Sequence, residues 1–519
     1  MLQAAFSPMF AVPSIPSLAR AFSEVKPNIR PSKGLQIAEP LLNEISGDSR
    51  VGVYVAEAEK AVVEAMGTTG LDGLTRSNIG IPSVSEPDVM RHYVRLSTRN
   101  FSIDHGMYPL GSCTMKYNPR INESVARLPG FADVHPMQPT ETVQGCLQVL
   151  HDLQQAFLEI TGMDSVTLTP AAGSHGEHAG LMAIRAALVA NGRADHNVCL
   201  MPESAHGTNP ASAIMAGFKT HTLRCNRDGS VNMDDLKHAL ETLNVGCMML
   251  TNPNTVGMFE TDICEMTKLI HEAGGYFYMD GANLNAIMGQ SKPASFGIDA
   301  MHINVHKTFS TPHGGGGPGA GPVVYSKALT PFVPVPKVVA GEDGYEVIEE
   351  DDLSLGRMTS FFGQFGVLLR ALTWIVTLGG EGLRASSHDA VLNANYMLAR
   401  LTEAGLTPAI PNRMCMHEFA LSDSHLAGTG VSTLDIAKGL CDAGFHPSTV
   451  YFPLFVEGAM LIEPTESESL ESLDSFCDAL IDLANKAKAG SEDFHAYPQA
   501  TPCTRVDEVL AAKKQVFTW

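Results

Sequence analysis

The stretch Asn304-Val-His-Lys-Thr-Phe-Ser-Thr-Pro-His-Gly-Gly-Gly-Gly-Pro-Gly-Ala-Gly-Pro322 places a single lysine, Lys307, between an apolar run and six glycines. The run before it, residues 300–305, is typical of a short buried strand. The glycines at 314–317 can adopt backbone angles that other residues avoid. A lysine at such a junction can be held rigidly and partly desolvated.

Lys307 has two interpretations on this stretch alone. Desolvation favours a neutral amine, the form of lysine that condenses with a carbonyl to make a Schiff base. A surface lysine followed by a flexible loop explains the same stretch equally well, because glycine clusters mostly mark turns. A phosphate-binding P-loop fits less well, since its lysine follows the glycines and Lys307 precedes them. The upstream sequence has to decide between these interpretations.

Composition limits the class of protein. The chain has 519 residues, of which 44% are hydrophobic, enough for a large core and for two or three domains. Its 56 acidic and 35 basic residues give a net charge of -21, which opposes binding to a nucleic-acid backbone. No apolar run approaches the roughly 18 residues of a membrane span, because Arg370 interrupts the best candidate, residues 366–378. We expect a soluble, cytoplasmic protein that binds neither nucleic acid nor membrane.

The ten cysteines are scattered and include no Cys-x-x-Cys pair. Several lie in apolar runs such as residues 245–250, which is typical of reduced core residues in a chain of this length. We therefore predict neither a disulfide framework nor a metal site.

Residues 160–330 alternate short apolar runs with helical stretches, a pattern typical of a parallel sheet with crossover helices. The predicted strands are 165–169, 197–201, 220–224, 247–251, 276–279, 302–305 and 323–325. The predicted helices are 53–66, 143–160, 177–190, 262–272 and 389–404.

The chain is expected to have four parts. Residues 1–34 contain several prolines and no sustained period, which predicts a mobile arm; few basic residues argue against a secretory or transit signal, and an organelle signal is left open. A helical segment follows over 35–155, and its polar loop 106–119 gives no clear signal by itself. We predict a large α/β domain over 156–384 and a small C-terminal α/β domain with a polar tail over 385–519.

Polar clusters follow five of the predicted strands. The first, residues 171–177, opens a helix, so its backbone N–H groups and the helix dipole suit a phosphate. The others are residues 203–210, 252–255, 280–283 and 306–307. In open sheets of this kind ligands bind at the carboxyl ends of the strands. The sequence therefore predicts one ligand site along this edge.

Three side chains in these clusters suit pyridoxal phosphate. Asp280 could keep a pyridine nitrogen protonated, which makes the ring an electron sink, although Asp-Gly is also a common turn pair. His206 could stack on the ring, or could simply hydrogen-bond to backbone. Ser174 could hold the phosphate or cap a helix. The joint order of phosphate loop, histidine, aspartate, lysine and glycine loop favours a cofactor site.

The chain resembles the P-protein family of the glycine cleavage system, the decarboxylating glycine dehydrogenases. The shared motifs lie between about residues 105 and 470. They are Pro109-Leu-Gly-Ser-Cys-Thr-Met-Lys116, Ser204-Ala-His-Gly-Thr-Asn-Pro-Ala-Ser-Ala213, Asp280-Gly-Ala-Asn283, His306-Lys-Thr-Phe309, Pro312-His-Gly-Gly-Gly-Gly-Pro-Gly319 and Glu463-Pro-Thr-Glu-Ser-Glu468.

The resemblance implies fold-type I of the pyridoxal-phosphate enzymes: a mostly parallel central sheet with crossover helices and a smaller C-terminal α/β domain. It implies that Lys307 is the Schiff-base lysine and that Lys307, Asp280 and His206 are the catalytic residues. The predicted cofactor contacts are Gly173, Ser174, His206, Thr208, Asp280, Ala282, His306 and Lys307. No residue is assigned to the glycine carboxylate, for which Arg357, Lys116 and His313 are candidates.

The resemblance also implies partners. The chain is about half as long as a single-chain P-protein and carries the lysine, so it resembles subunit 2 of the two-subunit form. We expect a heterotetramer of two copies of this chain and two copies of subunit 1. The assembled enzyme is expected to decarboxylate glycine and to pass the aminomethyl group to the lipoyl arm of the H-protein. Two alternatives stay open: another fold-type I enzyme, such as an amino-acid decarboxylase or a desulfurase, and a non-catalytic scaffold subunit.

Overall fold

A computed structural model describes residues 39–47, 50, 52, 56–66, 73–74, 76–77, 79–314 and 319–516. The chain forms two compact units, Met1–Phe101 and Ser102–Trp519. The arm predicted over residues 1–34 lies outside the described residues. The predicted domain boundaries near residues 155 and 384 fall inside the second unit and stay predictions.

The first unit contains a buried carboxylate, Glu39. Its two oxygens accept hydrogen bonds from Arg95 Nε and Nη2, both at 2.6 Å, and one oxygen lies 3.0 Å from His92 Nδ1. The bonds from Arg95 hold the pKa of Glu39 below its usual range. The helices of this unit are α1 (Leu42–Ile45), α2 (Lys60–Met66) and α3 (Glu86–Ser97). Within the range predicted as helix 53–66, the described helix begins at Lys60.

The second unit is built around a seven-stranded sheet. Its strands are β1 (Ser165–Thr167), β2 (Val198–Pro202), β3 (Lys219–Leu223), β4 (Val245–Thr251), β5 (Tyr276–Gly281), β6 (Ala300–Ile303) and β7 (Val323–Tyr325). The strand order is β1-β7-β6-β5-β4-β2-β3. Strands β2 to β6 pair in parallel, and β7 runs antiparallel to both β1 and β6. The predicted mostly parallel sheet is confirmed.

Helices cover the sheet, which explains why β4 is buried along its whole length and reads as a continuous apolar run. The helices up to β7 are α4 (Arg120–Ala126), α5 (Pro129–Ala132), α6 (Gln144–Thr161), α7 (Gly173–Ala190), α8 (Thr208–Met215), α9 (Met233–Thr242), α10 (Ile263–Glu272) and α11 (Val305–Thr308). The apolar face of α7 is buried, since Leu181, Ile184 and Leu188 are all 0% exposed. Helix α7 nevertheless begins at Gly173, four residues before the predicted start, because the polar cluster after β1 forms its first turn.

The helix α12 (Phe365–Glu403) links two hydrophobic cores. It is interrupted at Gly379, whose φ of 62° and ψ of -179° are not helical. Before this kink, Leu368 packs into the core beneath the central sheet. After it, Leu401 packs into the core of the C-terminal sheet. The helix predicted over 389–404 is therefore the second half of a longer, kinked element.

The C-terminal part is a smaller α/β layer, as predicted. Its antiparallel sheet has the order β10-β11-β13-β12 and consists of β10 (Thr407–Pro408), β11 (Phe419–Ser422), β12 (Thr449–Val450) and β13 (Met460–Ile462). Two strands, β8 (Lys337–Ala340) and β9 (Tyr345–Ile348), form a separate hairpin. The remaining helices are α13 (Thr433–Asp442), α14 (Leu470–Ala489) and, in the polar tail, α15 (Glu508–Lys513).

Among the described residues, α12 is the one helix long and apolar enough to cross a membrane by length and composition alone, although the sequence predicted none. In the most apolar 18-residue stretch of α12, 39% of the residues are buried in the protein. Arg370 of α12 forms an ion pair with Glu123 through two hydrogen bonds of 2.8 and 2.9 Å. Core helices of soluble proteins pass the same test, so this finding is weak evidence for a span.

Candidate active site

A cavity of about 160 Å³ lies at the carboxyl ends of the central strands. It brings together residues from all five predicted polar clusters. Its lining residues are Ser112, Gly173, Ser174, Glu177, His206, Thr208, Thr251, Thr255, Asp280, Ala282, Asn283, His302, Asn304 and Lys307. Seven of the eight predicted cofactor contacts are among them. The eighth, His306, directs its ring towards His313, with ring centroids 4.9 Å apart.

Asp280 is the last residue but one of β5 and is 2% exposed. Its carboxylate accepts hydrogen bonds from Asn209 Nδ2 at 3.1 Å and from the Ala282 N–H at 2.9 Å. Burial alone would raise the pKa of Asp280, but His302, these hydrogen bonds and Lys307 outweigh it and lower the pKa. The carboxylate is therefore ionised at neutral pH and faces the cavity.

His302 on β6 supports Asp280 from behind and was not predicted. Its Nε2 lies 3.4 Å from Asp280 Oδ1, and its Nδ1 lies 2.8 Å from the hydroxyl of the fully buried Tyr278. Burial raises the pKa of Tyr278 well above its usual range, so the hydroxyl keeps its proton and can donate it to Nδ1. This arrangement leaves Nε2 to carry a proton towards the carboxylate.

Glu177 on α7 anchors the loop that follows β2. Its two oxygens accept hydrogen bonds from the hydroxyls of Thr208 at 2.7 Å and Ser212 at 2.8 Å. The Thr208 hydroxyl oxygen also lies 2.9 Å from His206 Nδ1, which in turn lies 3.3 Å from the Thr208 backbone N–H. The position of the His206 ring thus depends on the buried carboxylate of Glu177. The sequence predicts Glu177 only as part of a polar cluster that opens a helix.

His206 has the character expected of a neutral ring. Burial is the main cause that lowers its pKa, although the charges of Asp280 and Glu177 act in the opposite direction. Phe452 lies beside it in a T-shaped arrangement, with ring centroids 5.9 Å apart at 71°. A neutral, half-buried imidazole is suited to contact an aromatic ligand.

Lys307 lies on the short helix α11 directly after β6 and is 7% exposed. The sequence predicted this position at a strand end. Its neighbour Thr308 is held from the other side, where its carbonyl accepts a bond of 2.7 Å from Lys116 Nζ. Gly314 has a φ of 71°, whereas residues 315–318 of the predicted glycine loop lie outside the described residues.

The N-terminus of α7 provides a cradle for an anion. Its N-cap residue, Ala172, has an extended backbone and offers no side-chain cap, so N–H groups of the first turn are free to bind a ligand. Gly173 is required here, because a Cβ would lie 2.3 Å from Asn304 Oδ1. That amide oxygen is buried without a hydrogen-bond partner. The residues present therefore fit a phosphate-bearing cofactor.

The three candidates for the glycine carboxylate do not line the cavity. Lys116 is 2% exposed and is bound to Glu466 at 2.6 Å as well as to Thr308. Arg357 forms an ion pair of 3.0 Å with Glu349. Neither cation is therefore placed to meet a substrate in the conformation described.

The chain is similar to known proteins in sequence and in fold. Residues 386–499 match the family described as glycine dehydrogenase, C-terminal domain, and residues 176–332 match aminotransferase class-V. The chain is similar to two curated proteins named "Probable glycine dehydrogenase (decarboxylating) subunit 2". The protein of Caulobacter vibrioides is 50% identical over 514 residues, which cover 98% of this chain and 97% of the relative. The protein of Bacillus cytotoxicus is 49% identical over 481 residues, 93% of this chain and 97% of the relative.

A solved structure supports the fold. The crystal structure of glycine decarboxylase (P-protein) of the glycine cleavage system, in inhibitor-bound form, superposes with a TM-score of 0.68. The match covers 83% of this chain and 100% of the other, with 21% sequence identity. The predicted fold-type I architecture is thereby confirmed.

Proposed function

Because the chain belongs to the family of glycine dehydrogenase (decarboxylating) subunit 2, we propose that glycine loses its carboxylate in the cavity beside Lys307. The enzyme activity is that of the glycine cleavage P-protein, in a fold of pyridoxal-phosphate enzymes. One observation carries the assignment to this cavity. Lys307, the ionised Asp280 and the uncapped start of α7 all border the same small space.

Each of these groups has a distinct role in the proposal. Pyridoxal phosphate, when bound, supplies an electron sink for the bond to the departing carboxylate. Lys307 would hold it covalently through Nζ, and Asp280 would hold a proton at its ring nitrogen. The first turn of α7, with Gly173 and Ser174, would bind its phosphate, and His206 would orient its ring.

We also propose the partners that the family membership suggests. The name "subunit 2" implies another subunit, and we propose a heterotetramer with two copies of subunit 1. Large apolar side chains are available for such an interface, since Leu454 is 90% exposed and Met414 is 79% exposed. The aminomethyl group is then passed to the lipoyl arm of the H-protein, in the cytoplasm.

The role of Lys307 is tested by visible absorption spectroscopy. Purified wild-type protein loaded with pyridoxal phosphate should show the visible absorption band of a lysine-linked cofactor, and Lys307→Ala should lose it. Lys292→Ala is the matched control, because Lys292 is a surface lysine whose side chain is 53% exposed. An unchanged band in Lys307→Ala would show that another lysine holds the cofactor.

The reaction and the partners are tested together. Exchange of labelled carbon dioxide into glycine should require this chain, subunit 1 and lipoylated H-protein, and should be weak with either subunit alone. Full exchange by this chain and H-protein would contradict the need for subunit 1. Turnover of a larger amino acid without H-protein would favour another fold-type I enzyme.

A further inference from the structure

Two carboxylates of the C-terminal layer, Glu418 and Glu463, lie behind the cavity wall and have no part in the roles proposed above. Both are 0% exposed. Each lies next to a strand of the C-terminal sheet: Glu418 precedes β11 and Glu463 follows β13. Buried carboxylates are costly unless their oxygens are bound, so their partners indicate why they are there.

Their main partners are backbone N–H groups of the segment 110–116, which contributes Ser112 to the cavity wall. Glu418 Oε2 accepts from the Ser112 N–H at 2.7 Å. Glu463 accepts from the Thr114 N–H at 3.1 Å through Oε2 and from the Thr114 hydroxyl through Oε1. Two carboxylates thus hold alternate residues of one segment.

The same carboxylates reach the segment that follows Asp280. Asn283 Nδ2 lies 3.4 Å from Glu418 Oε1, and Asn285 Nδ2 lies 3.4 Å from Glu463 Oε1. Asn283 also lines the cavity. Each carboxylate therefore accepts on both oxygens and joins two segments that form or adjoin the cavity wall.

The segment they hold is strained. Ser112 has a φ of 65° and Thr114 a φ of 46°, angles that are unfavourable for residues with a side chain and most of all for β-branched threonine. Such angles persist only where surrounding contacts over-determine them, and they cluster at functional sites. The two carboxylates supply three such contacts.

We propose that Glu418 and Glu463 are positioning residues for glycine decarboxylation, which hold the strained segment 110–116 so that Ser112 lines the cavity. This inference rests on the proposed function of the cavity. Burial raises the pKa of Glu418 well above its usual range and also raises the pKa of Glu463. Both groups still accept hydrogen bonds from the segment, whereas a glutamine has one acceptor oxygen and an amide nitrogen that would oppose one of those donors.

The variants Glu418→Gln and Glu463→Gln test the proposal, with Glu260→Gln as the matched control. Glu260 is also buried, at 2% exposed, and its carboxylate also accepts from a backbone N–H, that of Val231 at 2.7 Å, but it does not line the cavity. Hydrogen exchange of the full chain should show faster exchange of the Ser112 and Thr114 amides in the first two variants and unchanged exchange there in the control.

Kinetics with subunit 1 and H-protein supply the second measurement. Ser112 borders the cavity without a role in bond breaking, so its displacement should weaken binding of substrate and transition state alike. We expect the KM for glycine to rise by roughly fivefold or more with kcat changed less than about twofold, and bound cofactor, measured by the visible band, should be unchanged.

Two results would overturn the proposal: amides at 112 and 114 that exchange as in wild type, or a loss of kcat that tracks a loss of bound cofactor and of thermal stability. Failure of the proposed function is distinguishable from either. It would appear as wild-type protein that exchanges no carbon dioxide, while hydrogen exchange would still decide whether the carboxylates hold the segment.

Discussion

At the scale of single residues, Asp280 shows how surroundings fix a charge. Its burial opposes ionisation, and His302, two hydrogen bonds and Lys307 reverse the effect, so the pKa is lowered. If the carboxylate holds a proton on the cofactor nitrogen, a neutral amide cannot replace it.

We expect Asp280→Asn to keep bound cofactor and to lose about 10²–10⁴-fold in kcat for carbon dioxide exchange, the typical contribution of a positioned proton-transfer group. Asp299→Asn is the control. Asp299 is a 6% exposed carboxylate at the amino end of β6, bound to His271 at 2.7 Å. The variant Asp299→Asn should lower the stability of the protein and leave its kcat close to that of the wild type. A near-normal rate in Asp280→Asn would place the electron-sink role elsewhere.

His206 gives a milder prediction, because a stacked ring adds binding energy without carrying charge. His206→Ala should weaken cofactor retention by about 0.5–1.5 kcal/mol, the size of an aromatic pair contribution. His206→Phe keeps a flat ring and should retain more cofactor than the alanine variant. Equilibrium dialysis against pyridoxal phosphate measures both, and unaltered affinity in His206→Ala would remove the residue from the ring face.

The sequence predicted those residues of the cavity that follow an apolar run. Lys307, Asp280 and His206 each stand where a strand ends, so strand prediction alone brings them to one edge. The sequence does not single out Glu418. Its contact with Ser112 joins residues 306 positions apart, and no local pattern encodes a distance of that kind.

At the scale of elements, Gly379 divides α12. Its φ of 62° with ψ of -179° lies in a region that is open essentially to glycine alone. The kink lets one element reach from the core beneath the central sheet to the core of the C-terminal sheet.

Gly379→Ala should therefore lower the free energy of unfolding by about 1–3 kcal/mol, the cost of a residue held in such a region. Gly380→Ala is the matched control next to it. Open space surrounds the added Cβ at both positions, but Gly380 has no positive φ, so alanine there should be neutral or stabilising by up to about 1 kcal/mol. Urea unfolding of both variants measures the difference, and equal stabilities would contradict the role of the kink.

Strand positions were predictable because buried strands are short apolar runs between turn formers. The antiparallel direction of β7 was not, since direction depends on how the chain returns to the sheet. The start of α7 was predicted at residue 177, later than the observed start at Gly173. Its first turn is polar, because it faces the cavity instead of the core.

At the scale of the whole molecule, buried histidines couple stability to pH. Burial, with smaller effects of Lys307 and other histidines, lowers the pKa of His306 to about 3. In the unfolded chain a histidine titrates near about 6.5. The unfolded state therefore takes up the proton first, and the stability that neutral His306 provides above that pH is lost as the pH falls towards 3.

We expect the difference in unfolding free energy between wild type and His306→Gln to shrink as the pH is lowered from 7.5 to 4.5, by up to about 1.4 kcal/mol per pH unit below 6.5. Urea unfolding at a series of pH values measures this difference. Curves that stay parallel over the whole range would show that His306 is not held neutral by the fold.

The hydrogen bonds that join segment 110–116 to the C-terminal layer also set an order in time. Thr114 and Glu463 are 349 residues apart. During synthesis, the hydrogen bond between them can form only after Glu463 has been added to the chain. At roughly 5–20 residues per second, that wait lasts about 17–70 s. A nascent chain that stops before Glu418 already contains Lys307 and Asp280, yet nothing made so far can fix Ser112 in place. The cavity wall at Ser112 is thus completed late in synthesis, after Asp280 and Lys307 have already been made.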